Sequence, residues 1–225
     1  SGVCSSTRRG GRRVARLIRS PFRELPREVS ILVAASFFVA VGFGIIMPAI
    51  PVFAKSFGVN NAAIGLMVSA FAITRFASGL ISGFMVDKFG ERKVFSTGVF
   101  MVSLFTFLAG VAQSYEQLLF FRAAGGLGSS MFSVAASSVI LRSVSDDQRG
   151  HAQSVYQGSF IVGGMAGPAI GGVLSVISLR APFFVYSVLL FCSGVVALFF
   201  LKGDSIGAKA KNDNAEPATT IREAL

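Results

Sequence analysis

An all-α bundle of six membrane-spanning helices is the fold class this sequence predicts, and three observations predict it. The 225 residues are 52% hydrophobic and only 14% charged, with a mean hydropathy of +0.67. The apolar residues fall in long runs separated by short polar links, and the basic residues collect in alternate links. A hydrocarbon core ~30 Å thick takes about 20 helical residues to cross, each advancing ~1.5 Å. Six stretches meet or approach that length: 31–53, 62–86, 94–111, 118–141, 152–177 and 182–201. Strands are excluded despite the many Val, Ile and Phe, because the runs are too long and lack the alternation of a lipid-exposed barrel. Helices instead satisfy their own backbone in lipid.

A net charge of +10 and a pI near 10.5 would suit a nucleic-acid binder only if the bases formed one patch. They do not, so no nucleic-acid partner is expected and the lipid bilayer is. Lys and Arg close to span ends are retained on the cytoplasmic side. The tail before residue 31 carries Arg8, Arg9, Arg12, Arg13, Arg16, Arg19, Arg23 and Arg27. Lys88, Arg92 and Lys93 follow span two, Arg142 and Arg149 follow span four, and Lys202, Lys209, Lys211 and Arg222 follow span six. The opposite links hold only Lys55 and Arg180. Both termini are therefore expected to be cytoplasmic, in a multi-pass protein of the cell membrane. Residues 1–30 read as a basic tail, 31–201 as the six-helix domain and 202–225 as a polar cytoplasmic linker. The tail is either disordered or, through Val14, Leu17 and Ile18, a short interfacial helix. A cleaved signal is not expected, since the first run is span-length, contains Pro48 and Pro51, and is followed by no small-residue cleavage site.

The link after span two has the most specific pattern. Gly83 is followed at fixed offsets by Asp87, Lys88, Gly90, Arg92 and Lys93. Gly83 would permit close helix approach, Gly90 a tight reversal, and the bases would anchor the link at the membrane face. In span five, Gly163, Gly167 and Gly171 form a smooth stripe, with Pro168 bending the helix and Gly172 extending the paired glycines. Span one places Gly42, Pro48 and Pro51 in order, and span four has Arg122 followed by Gly125, Gly126 and Gly128.

Taken in sequence order, these four patterns resemble those of the major facilitator superfamily, most nearly its twelve-span drug:proton antiporters. The resemblance implies an amino-terminal half built from two inverted three-helix repeats, an architecture the superfamily exemplifies. It also implies a missing carboxy-terminal six-helix half, a small-molecule substrate, protons as coupling ion, and efflux by alternating access. Gly83, Asp87, Lys88, Gly90, Arg92 and Lys93 would form the cytoplasmic gate. Gly163, Gly167, Pro168, Gly171 and Gly172 would be the antiporter-type motif, and Gly42, Pro48 and Pro51 the first-span motif.

Two arginines lie inside spans. Burying Arg at a helix centre costs at least roughly 2.5–3.5 kcal/mol, so Arg75 and Arg122 are expected to face protein or a watery cavity. With Ser129 and Ser133 on the same polar strip of span four, they are the expected substrate cavity. The acids Asp87, Glu91, Asp146, Asp147 and Glu116 all fall at links or span edges. Either the proton carrier lies in the other half, or the arginines neutralise a small organic anion. A further alternative is a non-transporting half that needs a partner. No enzyme is expected: the serines of span four have no sequence-near base, the glycines follow no strand, and His151 stands at a span edge. Neither Cys4 nor Cys192 suggests a disulfide or metal role, and no cofactor is expected.

Overall fold

The computed structural model describes residues 27–200, and these fold into seven helices. They are α1 (Arg27–Lys55), α2 (Asn61–Ala77), α3 (Gly79–Phe89), α4 (Glu91–Val111), α5 (Tyr115–Ser143), α6 (Arg149–Ile177) and α7 (Ala181–Phe200). Five are long and apolar enough to cross a membrane singly, and α2 with α3 makes a sixth span bent by 44°. The expected linker and residues 1–26 of the expected tail lie outside the described residues, while residues 27–30, also expected in the tail, are the first turn of α1. Turn chemistry accounts for the helix starts. Asn60 caps α2 by accepting from the Ala63 amide at 2.9 Å, and Ser114 caps α5 by accepting from Gln117.

The bend is the one departure from the expected span pattern. An unbroken helix over 62–86 was the reading of the apolar run, but the helix breaks at Ser78. Its hydroxyl donates to the carbonyls of Thr74 (2.7 Å) and Arg75 (3.2 Å), and Gly79 follows. A serine bonding back into the preceding turn next to a glycine is a recognised cause of helix kinks. Arg75 consequently sits in the last turn of α2, at the break, rather than mid-helix. By contrast α6 runs through Pro168 without interruption.

The packing pattern is that of two inverted repeats. α1 packs on α6 and α7, α5 packs on the α2–α3 pair and on α4, and α4 packs on α7. Exchanging the first three spans for the last three leaves that pattern unchanged. Three crossings per repeat put the second repeat into the bilayer upside down.

Lipid tails are as apolar as Leu, so helices here cohere through close packing and polar contacts rather than hydrophobic burial. Glycines make the approach possible. A Cβ on Gly163 would stand 2.9 Å from the Ala40 side chain, and one on Gly167 or Gly171 would run into the backbone of Gly44 or Ile45. The expected stripe thus faces α1, while Gly164 and Gly172 face open space. Gly42 makes room for the Tyr186 ring, tying the first-span motif to α7. Ser103 and Ser187 exchange hydroxyl-to-carbonyl bonds across α4 and α7 at 2.8 and 3.0 Å, and Ser193 donates to the Ala35 carbonyl at 3.0 Å. Such bonds average about 0.6 kcal/mol in membranes, which is enough to fix register but not to hold the bundle.

Replacing Gly167 by Leu is therefore expected to force α1 from α6 and lower stability by about 1–3 kcal/mol or more, as overpacking does. Gly172→Leu should be near neutral for this bundle. Thermal unfolding of both variants in detergent checks the pair.

Candidate functional site

The bend at Ser78 opens a cavity of about 690 Å³ between α2–α3 and α5. Arg75, Ser130 and Ser133 supply its polar wall, with Ala72, Phe76, Ala77, Leu80 and Val134 among the apolar ones. The Arg75 guanidinium donates to the Ser133 hydroxyl at 3.0 Å, its one side-chain hydrogen bond among the described residues. Gly126 makes this possible. A Cβ there would meet the Phe71 carbonyl at 2.7 Å and the Arg75 amide at 3.1 Å, so only glycine lets α5 approach the end of α2 so closely. Ser82 donates to Ser130 at 3.1 Å, pinning α3 to the same helix below the bend.

A second hollow of about 550 Å³ continues along α5, sharing Ser133 and Val134 and passing Ser137 and Ser138 to Arg142. Together they line α5 from the bend to Arg142, which pairs with Asp87.

Of the four residues expected to line a cavity, Arg75 and Ser133 do so. Arg122 and Ser129 are turned into the helix packing, at 7% and 3% exposure. Arg122 stacks on the Phe71 ring at 4.6 Å, and its Nε has no hydrogen-bond partner. No ion pair joins Arg122 to Glu116, nor Arg75 to any acid, among the described residues.

The link after span two is built differently from its sequence reading. Gly90 adopts φ +84° and ψ 154°, a backbone region essentially reserved for glycine, so α4 can begin as α3 ends. Gly83, expected to permit close helix approach, has open space around it. Asp87 is exposed and reaches Arg142 at 3.3 Å. Lys88 lies over the Phe89 ring at 5.5 Å, Lys93 is exposed, and Arg92 donates to the Leu198 carbonyl, one of the unsatisfied acceptors ending α7.

Glu91 was read only as a link residue, yet it is the buried acid of this end. Its side chain is 6% exposed and holds Arg142 at 2.7 Å, with the Ser138 hydroxyl donating to it at 3.3 Å. Its place in the first turn of α4, where the helix dipole favours a carboxylate, was a signal available in the sequence. At the opposite end Arg180 donates to the Ala112 carbonyl at 3.1 Å and lies over Phe53 at 5.5 Å, joining α1, α4 and the α6–α7 turn.

Glu91→Ala removes a buried partner of Arg142 and is expected to cost about 1.5–3 kcal/mol, the range for hydrogen bonds to charged groups. Asp87→Ala, whose carboxylate is 72% exposed, should cost no more than about 1 kcal/mol. Denaturation of the two variants side by side checks the ranking.

Comparison with known proteins now has a geometry to attach to. The family model described as Major Facilitator Superfamily matches residues 32–225. The chain is 27% identical over 177 residues to multidrug resistance protein 2 of Bacillus subtilis, covering 78% of this chain and 44% of that protein. It is 28% identical over 141 residues to the synaptic vesicular amine transporter of Bos taurus, covering 62% and 27%. The crystal structure of the human organic anion transporter MFSD10 superposes with a TM-score of 0.70 at 19% identity, covering 79% of this chain and 48% of that one, which speaks for the fold alone. The chain spans less than half the length of the curated relatives it matches. By the family match, the inverted-repeat packing and the membrane-length helices, this chain belongs to the major facilitator superfamily of membrane transporters.

Proposed function

We propose that these six spans form the amino-terminal half of an alternating-access transporter that exports small amphipathic molecules across the cell membrane in exchange for protons. One observation carries this reading: two hollows along α5, of about 690 and 550 Å³, that share Ser133 and Val134, run from Arg75 to Arg142 and are lined by hydroxyls and apolar groups. Relatives named for multidrug resistance and multidrug efflux support the outward direction and the substrate size.

Charge bias makes the Asp87 end cytoplasmic, so the hollows lead inward. Asp87, Lys88, Arg92 and Lys93 are the cytoplasmic gate, with Lys93 exposed and Asp87, though paired with Arg142, still open to an opposing surface. A second six-helix half covers the bare faces of α2–α3 and α6, where Phe76, Leu80 and Val176 are 88–90% exposed. Relatives of about twice this length support that assignment. Proton carriage falls mainly to that second half, because acids of the described spans stand at their ends.

In the complete transporter reconstituted in vesicles, adding substrate is expected to drive proton movement, and Asp87→Ala to slow transport and shift the balance of inward- and outward-facing states. An Asp87→Ala protein with unchanged rate and balance would remove the gate assignment. For topology, Lys55→Cys and Lys93→Cys, each in a background lacking Cys4 and Cys192, should be labelled by an impermeant maleimide from opposite faces of sealed vesicles. Labelling from one face contradicts the orientation.

A further inference from the structure

We propose that Arg75 is an anion-recognition point and that the cavity takes amphipathic monoanions, molecules with one carboxylate or similar planar oxyanion and an apolar body. The proposal rests on the reading of this cavity as the transport site and narrows its substrate class.

Three observations carry it. The first is the state of the charge. Arg75 spends one hydrogen bond on Ser133 and has no acid partner among the described residues, although a guanidinium offers five donors in a fork matched to a carboxylate. The second is the surrounding field. Arg122, stacked on the Phe71 ring one helical turn from Arg75, adds another cation, also without an acid among the described residues. In a low-dielectric interior two like charges attract an anion strongly and repel a protonated amine. The third is the cavity itself. Its walls beside Arg75 are Ala72, Phe76, Ala77, Leu80 and Val134, which suit an apolar body, while the Ser130 and Ser133 hydroxyls flank the head.

The other cations near the hollows are already engaged. Arg142 at their far end is held by Glu91 and Asp87, and Arg92 by the Leu198 carbonyl. Arg122 is sealed behind Phe71 and does not line the cavity. Arg75 is thus the guanidinium that is both cavity-lining and without a charged partner among the described residues. An acid from the rest of the full-length protein is the rival occupant, and it predicts the opposite outcome below.

The test uses purified full-length transporter and three probes with the same apolar body: radiolabelled 4-phenylbutyrate, displaced by itself, by the isosteric 4-phenylbutanamide or by 4-phenylbutylamine. A charge-assisted hydrogen bond to the head group predicts at least about tenfold tighter binding of the carboxylate than of the amide, with the amine weakest. Arg75→Gln should abolish the preference of carboxylate over amide, while Arg75→Lys should keep part of it. Lys preserves charge, so it keeps the proposal testable if Gln impairs folding. Equal binding of the three probes, preference for the amine, absence of carboxylate binding by folded wild-type protein, or a preference that survives Arg75→Gln would each overturn it. These results leave the transport reading standing as long as any substrate drives proton flux in vesicles. Flux with none of the substrates tried would defeat that reading instead.

Discussion

Close approach of backbones is the constraint on which this bundle depends. In hydrocarbon, burying Leu against Leu gains little that Leu against lipid does not already have. Cohesion then comes from contact, and contact is greatest where side chains are absent. Gly163, Gly167 and Gly171 bring α6 onto α1 at Gly44 and Ile45, while Gly98 and Gly128 do the same for α4 and α5. Both seams involve the first helix of a repeat, α1 or α5. Those two helices form the spine against which everything else is placed, including the wall that carries Ser130 and Ser133.

The same economy explains the cavity. Gly126 draws the end of α2 onto α5, and Ser78 then turns the chain so that α3 leaves at an angle. A straight span would keep Arg75 against its neighbours along its whole length. A bent one opens space beside the guanidinium while Ser82 and Ser130 still hold α3 to α5. Position and cavity therefore have a single cause, three residues beyond Arg75 in the chain.

Much of this was legible in the sequence, for physical reasons. Long apolar runs have one solution in lipid, and every expected span has its counterpart within a few residues. The requirement at Gly90 was legible because a reversal between abutting helices calls for a backbone that other residues avoid. The break at Ser78 was not read, because a hydroxyl leaves hydropathy nearly unchanged and its hydrogen bond to Thr74 depends on local geometry. The cavity set was half legible. Helical spacing puts Arg122, Ser129 and Ser133 near one strip, but only packing decides which face α2 covers, and it covers Arg122. Glu91 was missed since its burial comes from Arg142, distant in sequence and brought near only by α5 packing on α4.

The way charges are settled separates framework from function. Arg180 holds a helix-end carbonyl, Arg92 another, and Arg142 lies between two acids. Each of these serves to fix the bundle at one membrane face, where a cation is inexpensive. Arg75 differs in both respects, being set at the break of a span and supported by a single neutral hydroxyl. A guanidinium in that position is costly unless something in the working cycle neutralises it, as water in an open cavity does in part and an anion does more fully. On the proposed alternating-access reading that cost would be conditional, because closing the cavity would remove water from around Arg75. If Arg75 is the proposed anion-recognition point, such a transporter would close readily with its anion bound and reluctantly without it, so a charge that selects the substrate would also help prevent an empty return.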